Sequence, residues 1–107
     1  GVFPAKCRMQ TRLAALGYVE VQGTGQNSIL ASGEIVRGHQ FRYSTIDQMP
    51  DSIGRAYELR KPSVDGQIGL EGYTANNCLA SYVHLHFLSN PTFAERWVDL
   101  CRAGVTT

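Results

Sequence analysis

The chain has 107 residues, which is enough for one domain and too few for two. Apolar residues make up 43% and charged residues 18%, values typical of folded globular domains, so disorder, collagen and coiled coil are excluded. The formal net charge of +1 is too balanced for a surface that binds nucleic acid, and every apolar run is far shorter than the roughly 20 residues of a membrane span. We therefore expect neither a nucleic-acid nor a membrane partner.

The cysteine pattern argues against a disulfide framework and against a structural zinc site. Cys7, Cys78 and Cys101 are an odd number, and no CxxC spacing is present. This usage favours a reducing, cytoplasmic location. The opening residues Gly1 to Pro4 read like a connector within a larger protein, so we expect the chain to be a fragment.

The first predicted element is a helix over residues 6–16. Gly17 suits a helix end. The apolar residues of this stretch that fall near helical spacing are Met9, Leu13, Ala14 and Leu16. Residues 18–22 alternate large apolar with polar side chains, which predicts a half-buried strand, and the glycine-rich residues 23–27 predict a turn.

The middle of the chain is predicted to be β-structure. Residues 34–37 and 41–44 read as two short strands on either side of Gly38 and His39, and residues 55–60 alternate as a further strand. The pair at residues 65–66 (DG) predicts a hairpin turn, followed by a weak strand over residues 67–73.

The strongest predicted strand covers residues 78–87, a nearly continuous apolar and aromatic run that is expected to be central and deeply buried. A final helix begins at Pro91, with Asn90 as its N-cap. One face of this helix is expected to pack on the sheet and to bury its cysteine: Phe93, Trp97, Leu100 and Cys101.

Two histidines near the end of that strand are the main candidates for chemistry. In an extended strand His84 and His86 point to the same face, about 7 Å apart. The pair lacks a third ligand at an obvious spacing, which counts against a metal site. Two alternatives stay open from the residues: one histidine is a general base, or each is a structural histidine that hydrogen-bonds a backbone group.

Four segments, in this order and spacing, resemble the C-terminal part of the cobyrinic (hydrogenobyrinic) acid a,c-diamide synthase family. They are residues 12–18 (RLAALGY), 37–44 (RGHQFRYS), 79–87 (LASYVHLHF) and 89–91 (SNP). The resemblance implies an α/β fold, α+β as an isolated fragment: part of a flavodoxin-like class I glutamine amidotransferase domain of the cobyric-acid-synthase type, with a mixed sheet flanked by helices. Residues 1–107 would be the C-terminal portion of that domain.

The resemblance also implies a glutaminase reaction, in which a cysteine thiolate attacks the glutamine side-chain amide and ammonia is released. The family's catalytic histidine falls on His84. Many class I amidotransferases have a glutamate two residues later, where this chain has His86, so a Cys-His dyad is expected. His86, His39 and Tyr82 are candidates for lining or orienting the pocket.

The family's nucleophile stands in a Cys-Gly-Gly context upstream of the segment at residues 12–18, and no cysteine of this chain matches that context. We therefore expect the nucleophile to lie outside the chain and the fragment alone to be inactive. No GxxxxGK[ST] phosphate loop is present, so no cofactor is expected here. The resemblance assigns ATP and Mg²⁺ to an absent N-terminal synthetase domain, and glutamine and a corrinoid to the longer protein as substrates.

Other functions remain as alternatives. The chain is also compatible with a non-catalytic binding or regulatory module that kept an amidotransferase fold. Neighbouring amidotransferases, cobyric acid synthase or nickel-sirohydrochlorin a,c-diamide synthase, are further alternatives, although the former reads His-Gly where this chain has His84 and Leu85. A fragment of one sheet would expose an apolar face, so we expect the isolated chain to form homodimers.

Overall fold

The computed structural model describes residues 1–60 and 68–104. The described residues form eight β-strands, a 3-10 helix at Phe87–Ser89 and one α-helix. The strands are β1 (Cys7–Met9), β2 (Ala15–Gly23), β3 (Ile35–Arg42), β4 (Ser44–Ile46), β5 (Gly54–Arg60), β6 (Ile68–Ala75), β7 (Cys78–Ala80) and β8 (His84–Leu85), and the helix is α1 (Pro91–Gly104).

Six of these strands form one antiparallel sheet in the order β7-β6-β5-β2-β3-β8, and β1 pairs with β4 in a small second sheet. The four residues from Ala80 to His84 reach at most about 14 Å, because an extended chain advances by at most about 3.6 Å per residue. In a flat sheet the two edge strands would be about 24 Å apart, at about 4.8 Å per strand. The sheet is therefore curled, which brings its two edges towards each other.

The core lies on the inner face of this curl. Alternate residues of β2 point inwards, so Val19 and Val21 are buried while Tyr18 and Glu20 face outwards. The loop before β3 adds Leu30, and α1 adds Phe93. The buried cluster consists of Val19, Val21, Leu30, Val36, Ala56, Tyr57, Val83 and Phe93.

The final helix begins as the sequence predicts. The backbone N–H of Phe93 donates to the side-chain oxygen of Asn90, 3.3 Å away, which confirms Asn90 as the N-cap. Arg96 ties α1 to the loop before β3, because its guanidinium donates to both carboxylate oxygens of Glu34, at 2.5 and 2.7 Å. Of the face expected to pack on the sheet, Phe93 is buried, whereas Trp97 and Cys101 are exposed.

The predicted helix over residues 6–16 is wrong. This stretch contains β1 and the start of β2. The apolar side chains that suggested a helix have no common buried face, because Met9 and Leu16 are 78% and 69% exposed. Helical spacing without a surface to pack on does not specify a helix.

Residues 34–37 and 41–44 are not two separate strands, because β3 runs continuously through Gly38 and His39. A Cβ at Gly38 would overlap the backbone carbonyl oxygen of His84, so this glycine permits close pairing of β3 with β8. Gly38 therefore marks a close approach of two backbones within a continuous strand.

The single central strand over residues 78–87 is also wrong. The chain breaks at residues 81–83, and its two halves form β7 and β8 at opposite edges of the sheet. Val83 is buried in the core, whereas His84 is exposed. Hydrogen bonds at Ser81, described below, account for this break.

The predicted strands over residues 18–22 and 55–60 are confirmed by β2 and β5, and the weak strand before Tyr73 corresponds to β6. The predicted turn at residues 65–66 lies outside the described residues. A sheet with one long helix agrees with the expected fold class, α/β and α+β as a fragment. None of the helices in the described part of the chain has the length and apolar character that crossing a membrane requires.

Candidate active site

The candidate histidine His84 lies on β8 and pairs with His39 of β3. His39 in turn pairs with Tyr18 of β2, so the three side chains form a row across three strands. All three are exposed, and Tyr18 has 82% of its surface accessible. The row therefore stands on the outer face of the sheet, opposite the core.

His39 and His84 are in direct contact. Their ring centroids are 4.9 Å apart and their planes are tilted by 50°. The sequence named His39 as a secondary candidate, separated from His84 by 45 positions, and the register of β3 with β8 brings the two rings together. An exposed imidazole with a second imidazole beside it is well placed to exchange protons with a bound molecule.

His86 continues the same edge. Its backbone N–H donates to the carbonyl oxygen of Arg37 at 2.9 Å, so the register sets His86 opposite Arg37 as His84 is opposite His39. His84 and His86 thus share the outer face, as the two-residue period predicts. Arg37 also forms an exposed ion pair with Glu20, 3.6 Å from its Nε.

Tyr82 is directed to a different part of the molecule. Its hydroxyl lies 2.8 Å from the hydroxyl oxygen of Ser44, and the guanidinium of Arg42 stacks 4.1 Å from its ring centroid. Arg42 is held there by hydrogen bonds to Gln40 and to the Ser44 carbonyl. The contacts of Tyr82 are thus with this polar group, and not with the row of His39 and His84.

The three cysteines are free and exposed. The expectation that Cys101 is buried is wrong, because it lies on an open side of α1. Cys7 lies on β1. Cys78 lies on β7 and His84 on β8, at opposite edges of the sheet.

In residues 1–60 and 68–104, no group of three or more histidine, cysteine, aspartate or glutamate side chains is positioned to hold a metal ion. A cleft of about 600 Å³ lies elsewhere, between the loop at residues 26–29, the turn from β6 to β7 and α1. None of the three histidines lines that cleft.

Sequence reasoning did not identify a polar group in which the buried side chains of Tyr57 and Glu71 meet the exposed residue Ser81. Glu71 is 8% exposed and Tyr57 is fully buried. The available signal was a glutamate at an inward position of a strand, next to Gly72. A buried carboxylate needs hydrogen-bond donors, so a glutamate at such a position indicates a hydrogen-bonded group inside the fold.

The comparison with protein families decides the wider identity. Residues 1–92 match the model of the CobB/CobQ-like glutamine amidotransferase domain. This chain belongs to that family. The family resemblance predicted from the four sequence segments is thereby confirmed, and with it the α/β fold class of flavodoxin-like amidotransferases.

Several curated relatives carry the name cobyrinate a,c-diamide synthase. The protein of Leptospira interrogans is 43% identical over 102 residues, 94% of this chain and 22% of that protein. The relative from Priestia megaterium is 40% identical over 106 residues, 97% of this chain and 22% of its own length. The Thermoplasma volcanium protein is 40% identical over 101 residues, 94% of this chain and 21% of that protein.

The chain thus spans about a fifth of the length of these relatives. No solved structure matches significantly.

Proposed function

We propose that this chain forms the C-terminal part of the glutaminase domain of an ATP-dependent ligase that amidates the a and c side-chain carboxylates of cobyrinic acid. The family match over residues 1–92 supports the amidotransferase part of the proposal. The relatives' shared name supports the substrate class, since the relatives of 40% to 43% identity align over nearly the whole chain. The observation that carries it is the exposed His84 within the family's motif.

His84 is proposed as the glutaminase base. It would take the proton of a cysteine thiol supplied from outside this chain, and the thiolate would attack the side-chain amide carbon of glutamine. The carbon–nitrogen bond then breaks, the proton passes to the leaving nitrogen, and ammonia departs. Water hydrolyses the remaining thioester to glutamate and regenerates the thiol. The exposed ring of His84 leaves its face free for these transfers.

His39 and His86 are proposed as orienting neighbours. His39 touches the His84 ring and therefore limits its rotation. His86 stands two residues further along the same face, where related enzymes have a glutamate. With the imidazoles of His39 and His86 beside it, His84 would act together with the cysteine as a Cys-His dyad.

The remaining partners are assigned to the longer protein. ATP and Mg²⁺ would bind in an N-terminal synthetase domain, and we assign no residue of this chain to them. The corrinoid would bind there too, and the ammonia formed near His84 would be its nucleophile. Cytoplasmic location fits the free cysteines.

Glutaminase activity of the full-length protein tests this proposal. We expect His84→Ala to lower kcat by roughly 100- to 10,000-fold, the usual contribution of a general base. Glu95→Ala, at an exposed position near the start of α1, is the control and should retain activity. Full activity in His84→Ala would show that the histidine pair is structural. Absence of glutaminase activity in the wild-type protein would favour a binding module with an amidotransferase-derived fold.

A further inference from the structure

The inner face of the sheet contains a buried carboxylate that the glutaminase step does not use. Glu71 lies on β6 and is 8% exposed. One of its oxygens, Oε1, accepts a hydrogen bond from the Ser81 hydroxyl at 2.6 Å and another from the backbone N–H of Tyr82 at 2.9 Å. Both donors belong to residues 81–83, the segment between β7 and β8.

The directions of these hydrogen bonds are fixed by proton counting. The single hydroxyl proton of Ser81 goes to Glu71, so the short contact between Ser81 and Tyr57 must be donated by the tyrosine. Burial, followed by the charge of Glu71, raises the pKa of Tyr57, which keeps the phenol protonated. The Ser81 oxygen also accepts from the Val83 N–H at 2.8 Å. This hydroxyl therefore uses its full capacity of one donor and two acceptors.

Gly72 allows β6 to approach closely enough for this arrangement. Its φ is 74°, in the left-handed region that favours glycine. A Cβ at this position would collide with the Tyr57 ring and with Ala56. The glycine thus lets the neighbouring Glu71 reach residues 81–82, which directly follow β7, the strand that pairs with β6.

The network ends at the Val83 amide, one residue before His84. The amides of Tyr82 and Val83 are both held, and the Val83 side chain is anchored in the core. Beyond that point β8 contributes just His84 and Leu85 to the pairing with β3. His84 is thus held between this anchored segment and the contacts of residues 84–90 with β3.

We propose that Glu71 is a positioning residue for His84: through Ser81 and the Tyr82 amide it sets the path of residues 81–83 and therefore the place where His84 joins the outer face. The inference rests on the proposed function for its effect on catalysis. Its structural part, the coupling of Glu71 to the His84 ring, is independent of the reaction.

The first experiment measures that coupling directly. The chain contains three histidines, so its imidazole NMR spectrum is simple. In Glu71→Ala we expect the His84 ring signals to shift or broaden, whereas Glu71→Gln, which keeps an acceptor oxygen, should leave them close to wild type. Glu95→Ala is the matched control, a glutamate removed from the exposed side of α1. Unchanged His84 signals in Glu71→Ala would overturn the inference.

The second experiment measures glutaminase activity of the full-length protein, with kcat referred to the folded fraction determined by circular dichroism. A displaced base should lower kcat by roughly 100-fold while KM for glutamine changes little. Glu71→Gln should restore most of kcat, because it still accepts from Ser81 and Tyr82. Equal losses in Glu71→Ala and Glu71→Gln would contradict positioning by these hydrogen bonds. Should Glu71→Ala fail to fold, Glu71→Asp withdraws the carboxylate by one methylene and gives the same comparison.

His84→Ala measured beside these variants separates the two proposals. If His84→Ala is inactive and Glu71→Ala keeps the wild-type kcat, the positioning role is wrong and the proposed function stands. If His84→Ala is fully active, the proposed role of His84 as the glutaminase base is wrong, and the NMR comparison alone decides whether Glu71 positions the ring.

Discussion

The two faces of the curled sheet differ sharply although the same strands build both. The inner face combines an apolar core with hydrogen-bonded polar groups, and no buried side-chain nitrogen or oxygen of residues 1–60 and 68–104 is left without a partner. The outer face carries exposed rings and apolar side chains, among them Tyr18, His39, Phe41 and His84. Because side chains alternate along a strand, residues that stabilise the fold and residues free for chemistry follow one another in sequence.

The largest expected difference between the two faces is the loss of stability when a leucine is replaced by alanine. Leu30 is 1% exposed in the core, and Leu16 is 69% exposed on the outer face. Leu30→Ala should lower the free energy of unfolding by about 2–5 kcal/mol, because it removes buried surface and leaves a cavity. Leu16→Ala should change it by less than about 0.5 kcal/mol. Urea denaturation of both variants measures this, and equal losses would remove the distinction.

A smaller effect is expected where the edge strand meets the sheet. Gly38→Ala places a methyl group against the His84 carbonyl, so β8 must shift. We expect a loss of about 1–3 kcal/mol, as for other overpacked positions. Gly69→Ala is the matched control, because nothing lies within 4 Å of a Cβ there. Thermal unfolding compares the two, and an undisturbed His84 NMR signal in Gly38→Ala would contradict the close pairing.

The smallest effect concerns alkaline pH. Burial and the Glu71 charge raise the pKa of Tyr57, so the unfolded chain loses this proton first as the pH rises above about 10. The free energy of unfolding should therefore fall above that pH, by at most about 1.4 kcal/mol per pH unit for one proton. In Tyr57→Phe the fall should be shallower, whereas Tyr43→Phe, at an exposed position, should behave as wild type. Urea denaturation between pH 8 and 11 provides the slopes.

Some features of the fold and of the candidate site can be predicted from the sequence because they depend on residues that are neighbours in the chain. The alternation in β2 and β5 and the cap at Asn90 follow from neighbouring residues, and all three are confirmed. The family motifs located His84 without any knowledge of its surroundings. The pairing of His39 with His84 depends on strand order, which no local pattern specifies.

The wrong prediction for residues 78–87 also comes from contacts that are distant in sequence. Residues 78–87 look like one buried strand because their side chains are apolar and aromatic. The break at Ser81 is imposed by Glu71 and Tyr57, which are 10 and 24 positions away in sequence. A tertiary hydrogen-bond network thus overrides a strong local preference, and Glu71 itself gave no motif to recognise.

Side chains of residues that follow the short β8 continue its hydrogen bonding to β3. Beyond Leu85, the backbone N–H of Arg37 donates to the Ser89 hydroxyl, and the Asn90 side-chain amide donates to the carbonyl of Ile35. These contacts occupy backbone groups of β3 that would otherwise be open to another strand. This border of the sheet is consequently protected against strand addition and the aggregation that it begins.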